Sequence, residues 1–254
     1  MKIKTLISNT EIVTTGLSID STIVVVIDVL RASSTICAAL YYGAKEIIPC
    51  RTIEKAKEIY NNYPIGTVLL CGERNGVKPR GFDLGNSPAE FTKEIVENKS
   101  LIMTTTNCTN AISKLKNKKN IFMACFSNFT SVIELIRSKL DNKDIDLMFV
   151  CAGDNGNKSL EDTVCSGAYI NSIVNRYDNC YLNEESQLAL NTFSDVKNNL
   201  KEAFYNSEHG KLLRKLGFQM DIDLAMKYDL FPVVPFYKYG RIIPISPSFY
   251  KGDK

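Results

Sequence analysis

No apolar run in this sequence approaches the roughly 20 residues that would cross a bilayer. The opening residues do not resemble a secretion signal either, so a soluble, cytoplasmic protein without a membrane partner is expected. Excess charge is missing as well. The 31 basic and 28 acidic residues leave a formal +3, too small and too dispersed for a nucleic-acid surface, and no nucleic-acid partner is expected. The eight cysteines form no C-x-x-C pair, and several lie inside apolar segments where a reduced thiol packs as a small hydrophobe. None is followed by an arginine six residues on, which excludes the cysteine-dependent phosphatase loop. Internal repeats and low-complexity linkers are also missing. At 254 residues and 44% hydrophobic content, the chain suits one domain, 1–254, near the upper limit for a single core.

What is present is organised around residues 21–44. Five aliphatic residues, 23–27, run without alternation into Asp28, the pattern of a strand covered on both faces. Beyond Asp28, Ser33, Ser34 and Thr35 offer capping hydroxyls, and a helical period follows as far as Gly43. The arrangement is strand, polar turn, helix, with Asp28 and Arg31 at the carboxyl end of a buried strand, where open α/β sheets bind ligands.

The pattern recurs. Strands are predicted over 46–50, 67–72, 100–103, 121–125 and 146–151, most of them ending in polar clusters that enter helices, the alternation of an α/β fold. Ser87-Pro88-Ala89-Glu90 reads as a capping box with proline at the first helical position. A helix is predicted over 159–176. Two β-like pieces, 233–237 and 241–245, are expected to complete the sheet antiparallel to the rest. Two N-terminal pieces, 3–7 and 12–14, suit an edge hairpin.

If the strands are neighbours, their tips gather acids (Asp28, Glu73, Asp154, Glu161, Asp162), two arginines (Arg31, Arg74) and the hydroxyl-amide run Thr104 to Asn107. Such a set suits a magnesium ion beside a phosphate ester: magnesium takes a few carboxylates and keeps its waters, while arginine forks and helix-start N–H groups hold phosphoryl oxygens. Each piece also has an ordinary explanation. Glu161 and Asp162 favour a helix dipole, the arginines form surface ion pairs, the threonines suit a strand, and the single histidine, His209, is either a general acid or a capping side chain. The segment 152–159 lacks the glycines of a nucleotide-triphosphate loop. Leu30 stands where aspartyl-phosphate enzymes carry a second aspartate.

Six blocks in order carry a resemblance: residues 28–35 (DVLRASST), 72–74 (GER), 81–88 (GFDLGNSP), 104–107 (TTTN), 159–162 (SLED) and 207–210 (SEHG). Together they resemble the 2-phosphosulfolactate phosphatase family over about residues 24–234. The resemblance implies a three-layer α/β/α fold with a mixed, mostly parallel sheet, a homodimer, Mg2+ dependence, and hydrolysis of 2-phospho-3-sulfolactate, a step toward coenzyme M. Other phosphorylated 2-hydroxy acids are alternative substrates, and a non-catalytic sensor of such acids is the alternative of another class. On this reading Asp28, Glu161 and Asp162 hold the metal, and Arg31, Arg74, Ser33, Ser34 and Thr35 receive the phosphoryl group. Thr105, Thr106 and Asn107 take the carboxylate or sulfonate, and His209 protonates the departing alkoxide. Cys108 departs from the family pattern, in which a glycine is expected, and Asp154-Asn155 replaces a smaller, less acidic pair.

Overall fold

The structure is a computed structural model that describes residues 1–12, 22–115, 118–141 and 145–245. After β1 (Lys2–Leu6), the aliphatic run becomes β2 (Thr22–Ile27), every residue of which is buried, as its missing alternation requires. Helix α1 (Ala32–Tyr41) leaves its end, followed by β3 (Glu46–Cys50), α2 (Ile53–Tyr60), β4 (Val68–Gly72), the short α3 (Lys93–Val96) and β5 (Ser100–Thr104). The alternation continues through α4 (Cys108–Leu115), β6 (Ile121–Ala124), α5 (Phe129–Leu140), β7 (Asp146–Cys151) and α6 (Leu160–Val174). Then come β8 (Tyr181–Leu182), the helices α7 (Glu184–Val196), α8 (Leu200–Asn206), α9 (Glu208–Lys215) and α10 (Gln219–Ala225), and the hairpin β9 (Val234–Lys238) with β10 (Arg241–Ile245). Among the described residues no helix is long and apolar enough to cross a membrane.

All ten strands join one sheet in the order β4-β5-β3-β10-β9-β6-β2-β7-β1-β8. Within β4-β5-β3 and within β6-β2-β7-β1-β8 every pairing is parallel. The C-terminal hairpin sits between these blocks, and its three pairings, β3 with β10, β10 with β9 and β9 with β6, are antiparallel. Three reversals make the two parallel blocks run in opposite directions along the sheet. The hairpin therefore lies at the centre of the sheet, between two blocks that do not share one direction.

Both faces are covered. The period of two along β2 sends Val24 and Val26 against α1 and α4, and Ile23, Val25 and Ile27 against α5 and α6. Helix α4 touches both β2 and β3, which are four strand spacings apart in the sheet order, about 19 Å if the sheet were flat. Helix α4 thus bridges the two blocks, and the bonds from Arg31 to the Gly76 carbonyl and from the Asn155 N–H to Asn107 Oδ1 join the loops that leave them. The result is three layers, α/β/α, on a mixed, mostly parallel sheet.

Some local expectations change. Pro88–Glu90 is a single 3-10 turn in place of a helix start, because Ser87 gives its hydroxyl to Asp221 and Glu90 turns back to the N–H of Gly85. Strand β1 pairs in parallel with β7 and β8; of the proposed hairpin partner 12–14, residues 13 and 14 lie outside the described residues. All eight cysteines are free thiols and seven are buried, as expected of core residues.

Gly72 makes the meeting of β4 and β5 possible. Its φ of +134° is a glycine conformation, and a Cβ there would overlap the Thr104 carbonyl. Gly72→Ala is expected to cost about 3 kcal/mol or more of stability, read as a lowered urea midpoint.

Candidate active site

The turn after β2 is held by its own polar atoms. Asp28 donates its N–H to Ser33 Oγ (3.0 Å), its carbonyl accepts the Ser33 N–H (2.8 Å), and its Oδ1 accepts the N–H of Ala32 (3.1 Å). Asp28 is thus the side chain that caps α1. Ser34 Oγ donates to the Val29 carbonyl (3.0 Å) and Thr35 Oγ1 to the Asn86 carbonyl (2.9 Å). The three hydroxyls expected to face a ligand therefore fasten the turn and the neighbouring loop. No protein donor among the described residues reaches Asp28 Oδ2. Burial pushes the Asp28 carboxyl up to about 6 against the Ala32 N–H; the charge of His209 opposes the rise, that of Glu73 adds to it, and that of Arg31 opposes it.

Asp162, in the first turn of α6, ties two strand ends together. Its Oδ1 accepts the N–H of Val29 (2.8 Å), just past β2, and its Oδ2 the N–H of Gly153 (3.1 Å), just past β7. Burial and then the charge of Asp28 raise its pKa well above the usual carboxylate range, against those two N–H groups. Glu161 accepts from Ser159 Oγ (2.9 Å) and from Ser207 Oγ, the cap of α9. Asp162 lies within reach of the charges of both Asp28 and Glu161, and each oxygen of Glu161 and Asp162 already has a donor. Among the described residues no group of three or more His, Cys, Asp or Glu side chains is arranged to hold a metal ion.

The other block supplies the facing wall. Glu73, after β4, accepts the N–H of Thr106 (2.7 Å) and of Gly76 (2.8 Å). Arg74 donates to the carbonyls of Glu73 (2.7 Å) and Arg51 (2.9 Å) and to Thr104 Oγ1 (2.7 Å), clamping the ends of β3, β4 and β5. Thr105 and Thr109 cap each other's backbone at the start of α4. Asn107 Oδ1 accepts the N–H of Asn155 (3.1 Å), joining the loop after β5 to the loop after β7. Thr106 Oγ1 is buried without a protein partner. Cys108 lies beneath this wall, its thiol pushed up by burial and then by the charges of Asp28 and Asp162.

Arg31 closes the ring. It donates to Asp221 Oδ2 (2.8 Å) and to the Gly76 carbonyl (2.6 Å), with its guanidinium over the Phe218 ring at 4.2 Å. Asp221 Oδ1 accepts from Ser87 Oγ (2.6 Å). His209, in the first turn of α9, has Nδ1 4.0 Å from Asp154 Oδ1. Together with Lys158, Glu161 and Ser207 these two line a cleft of about 260 Å³. Asp221 and Phe218 were not legible as site residues: both stand in an ordinary amphipathic stretch, and only the packing of α10 brings them to Arg31.

Five acidic side chains are buried among the described residues, Asp28, Glu73, Glu161, Asp162 and Asp221, against one basic side chain, Arg31. All five belong to this one region. Backbone N–H groups and hydroxyls, more than basic side chains, answer this surplus of anions.

A family model described as 2-phosphosulpholactate phosphatase matches residues 9–240. The chain is 43% identical over 219 residues to a protein of Thermotoga maritima named probable 2-phosphosulfolactate phosphatase, covering 86% of this chain and 90% of that protein. It is 38% identical over 242 residues to a protein of Clostridium beijerinckii with the same name, covering 95% and 99%. A third so named, from Caldanaerobacter subterraneus, is 38% identical over 226 residues, covering 89% and 91%.

The raised pKa of Asp28 has a measurable sign. The folded chain holds this proton more tightly than the unfolded chain, so stability falls as pH rises from about 4 toward and past 6. In metal-free protein, Asp28→Asn is expected to raise the melting temperature at pH 7.5 relative to wild type, with the gain shrinking toward pH 4.5. A gain independent of pH contradicts this assignment.

Proposed function

The chain belongs to the 2-phosphosulpholactate phosphatase family, whose members are phosphoric monoester hydrolases, and from this we propose a reaction and a place for it. The reaction is magnesium-dependent hydrolysis of 2-phospho-3-sulfolactate to 3-sulfolactate and phosphate, and the place is the pocket around Asp28. The observation that carries the reading is the excess of five buried acids over one buried arginine at the junction of the two strand blocks.

The donor set fits magnesium, which takes one or two carboxylates, keeps several waters and completes its shell with substrate oxygens. Asp28, with Oδ2 unclaimed, would hold it, and Glu161 and Asp162 stand beside it with one lone pair per oxygen already in use. When bound, the ion would neutralise phosphoryl oxygens and lower the barrier to in-line attack by water.

The chain's own groups carry the remaining steps. Water attacks phosphorus as the bond to the substrate's C2 oxygen breaks, and a carboxylate of this cluster, Asp28, Glu161 or Asp162, takes the proton of the attacking water. His209 gives a proton to the departing alkoxide. Arg31 stabilises charge on the phosphoryl group with the N–H groups left over from Asp221 and Gly76. The backbone N–H groups of Val29, Ala32 and Ser33 are taken within the protein, which leaves those of Leu30, Arg31 and Ser34 to join the guanidinium in this task. The unpartnered Thr106 hydroxyl and the Asn107 amide suit the carboxylate or sulfonate of the substrate. Arg74, with three of its five donors given to Glu73, Arg51 and Thr104, and Thr105, tied to Thr109, would act by holding this wall in place.

Phosphate release from a panel of phosphorylated 2-hydroxy acids, with magnesium and with a chelator, tests the proposal. Turnover is expected on 2-phospho-3-sulfolactate and to be lost on chelation, and Asp28→Asn should lower it by about a hundredfold or more. Undiminished turnover in that variant, or no phosphate from any member of the panel, contradicts the reading.

A further inference from the structure

An arginine that stabilises a phosphoryl group has to be held before the substrate arrives, and a long side chain does not hold itself. Three contacts fix Arg31: Asp221 Oδ2 at 2.8 Å, the Gly76 carbonyl at 2.6 Å, and the Phe218 ring under its guanidinium at 4.2 Å. Two of the three come from residues 218–221, at the start of α10, about 190 residues further along the chain. Arg31 and Asp221 are both almost fully buried, their side chains 2% exposed, and the second Asp221 oxygen is fixed by Ser87 Oγ at 2.6 Å. The Gly76 carbonyl is fixed too, through the bond from its own N–H to Glu73.

A buried ion pair adds little net stability over apolar packing of the same volume, so stability alone gives no reason for an aspartate at this position of α10. Geometry does. With two N–H groups engaged by Asp221 and Gly76, the rest of the guanidinium's five donors stay free for a phosphoryl oxygen, three residues along the chain from Asp28.

We propose that Asp221 is a positioning residue for phosphoryl transfer: braced by Ser87, it locks the Arg31 guanidinium on the Phe218 ring with its remaining donors turned to the phosphoryl pocket. The proposal rests on the phosphatase reading above. It makes the C-terminal helices part of the active site, since α9 and α10 then carry His209, Phe218 and Asp221.

A double-mutant cycle tests this. Asp221→Asn, Arg31→Lys and the double variant are compared by kcat/KM and by inhibition with inorganic phosphate, with melting curves and circular dichroism as the check on folding. Asp221→Asn should lower kcat/KM by about 30-fold or more and weaken phosphate inhibition, while in the Arg31→Lys background the same change should cost less than about threefold. Effects that multiply in full, or wild-type kcat/KM and phosphate inhibition in Asp221→Asn, overturn the proposal. If Asp221→Asn does not fold, Ser87→Ala takes its place, with a smaller loss that must likewise vanish beside Arg31→Lys. Wild-type protein that binds phosphate without hydrolysing any ester would defeat the phosphatase reading; the cycle would then be read on phosphate binding alone.

Discussion

Buried negative charge governs this structure. Five acidic side chains are withdrawn from water at one junction, where a single buried guanidinium answers them. Carboxylates in such a place persist only if backbone N–H groups, hydroxyls, protons or a cation attend each of them. The fold supplies the first two with care. Asp162 takes the N–H groups that end β2 and β7, Glu73 those of two loops in the opposite block, and Glu161 two hydroxyls. Among the described residues no protein donor reaches the second oxygen of Asp28, and on the proposed reading this is where the phosphoryl group and its metal belong.

The topology explains how acids from remote parts of the chain meet. Two parallel blocks run in opposite directions, the β9–β10 hairpin joins them, and α4 touches a strand of each. Asp28 and Asp162 belong to one block, Glu73 and Thr106 to the other. Bonds across the gap, Arg31 to Gly76 and Asn107 to Asn155, close the ring. Within the β4–β5–β3 block, the close approach of Gly72 to Thr104 sets the strand ends from which Glu73 and Thr106 project.

Much of this was legible in the residues. The unbroken aliphatic run fixed β2 and the position of Asp28; the polar clusters after apolar segments marked the strand ends; the helix expected over 159–176 is α6, Leu160–Val174, with Ser159 as its cap. What escaped has physical causes. Ser33, Ser34 and Thr35 resemble ligand donors, yet Ser34 and Thr35 give their hydroxyls to the Val29 and Asn86 carbonyls and Ser33 Oγ accepts the Asp28 N–H, and spacing does not distinguish the two uses. Ser87 and Glu90 match a capping box but meet stronger partners, Asp221 and the Gly85 N–H, from outside the segment. Asp221 has no local signal, because its importance comes from a partner 190 residues away. The central place of the C-terminal hairpin was hidden for the same reason: local pattern specifies strands, whereas their order depends on contacts between segments far apart in the chain.

A crystal structure with orthovanadate and magnesium tests the central claim most directly, because vanadate takes up the geometry of a phosphoryl group in transfer and reports its location without relying on turnover. The account predicts vanadate in the pocket bounded by Asp28, Arg31 and His209, with Asp28 Oδ2 on the metal and an Arg31 N–H on a vanadate oxygen. Vanadate bound elsewhere, with Asp28 and Arg31 untouched, would contradict it.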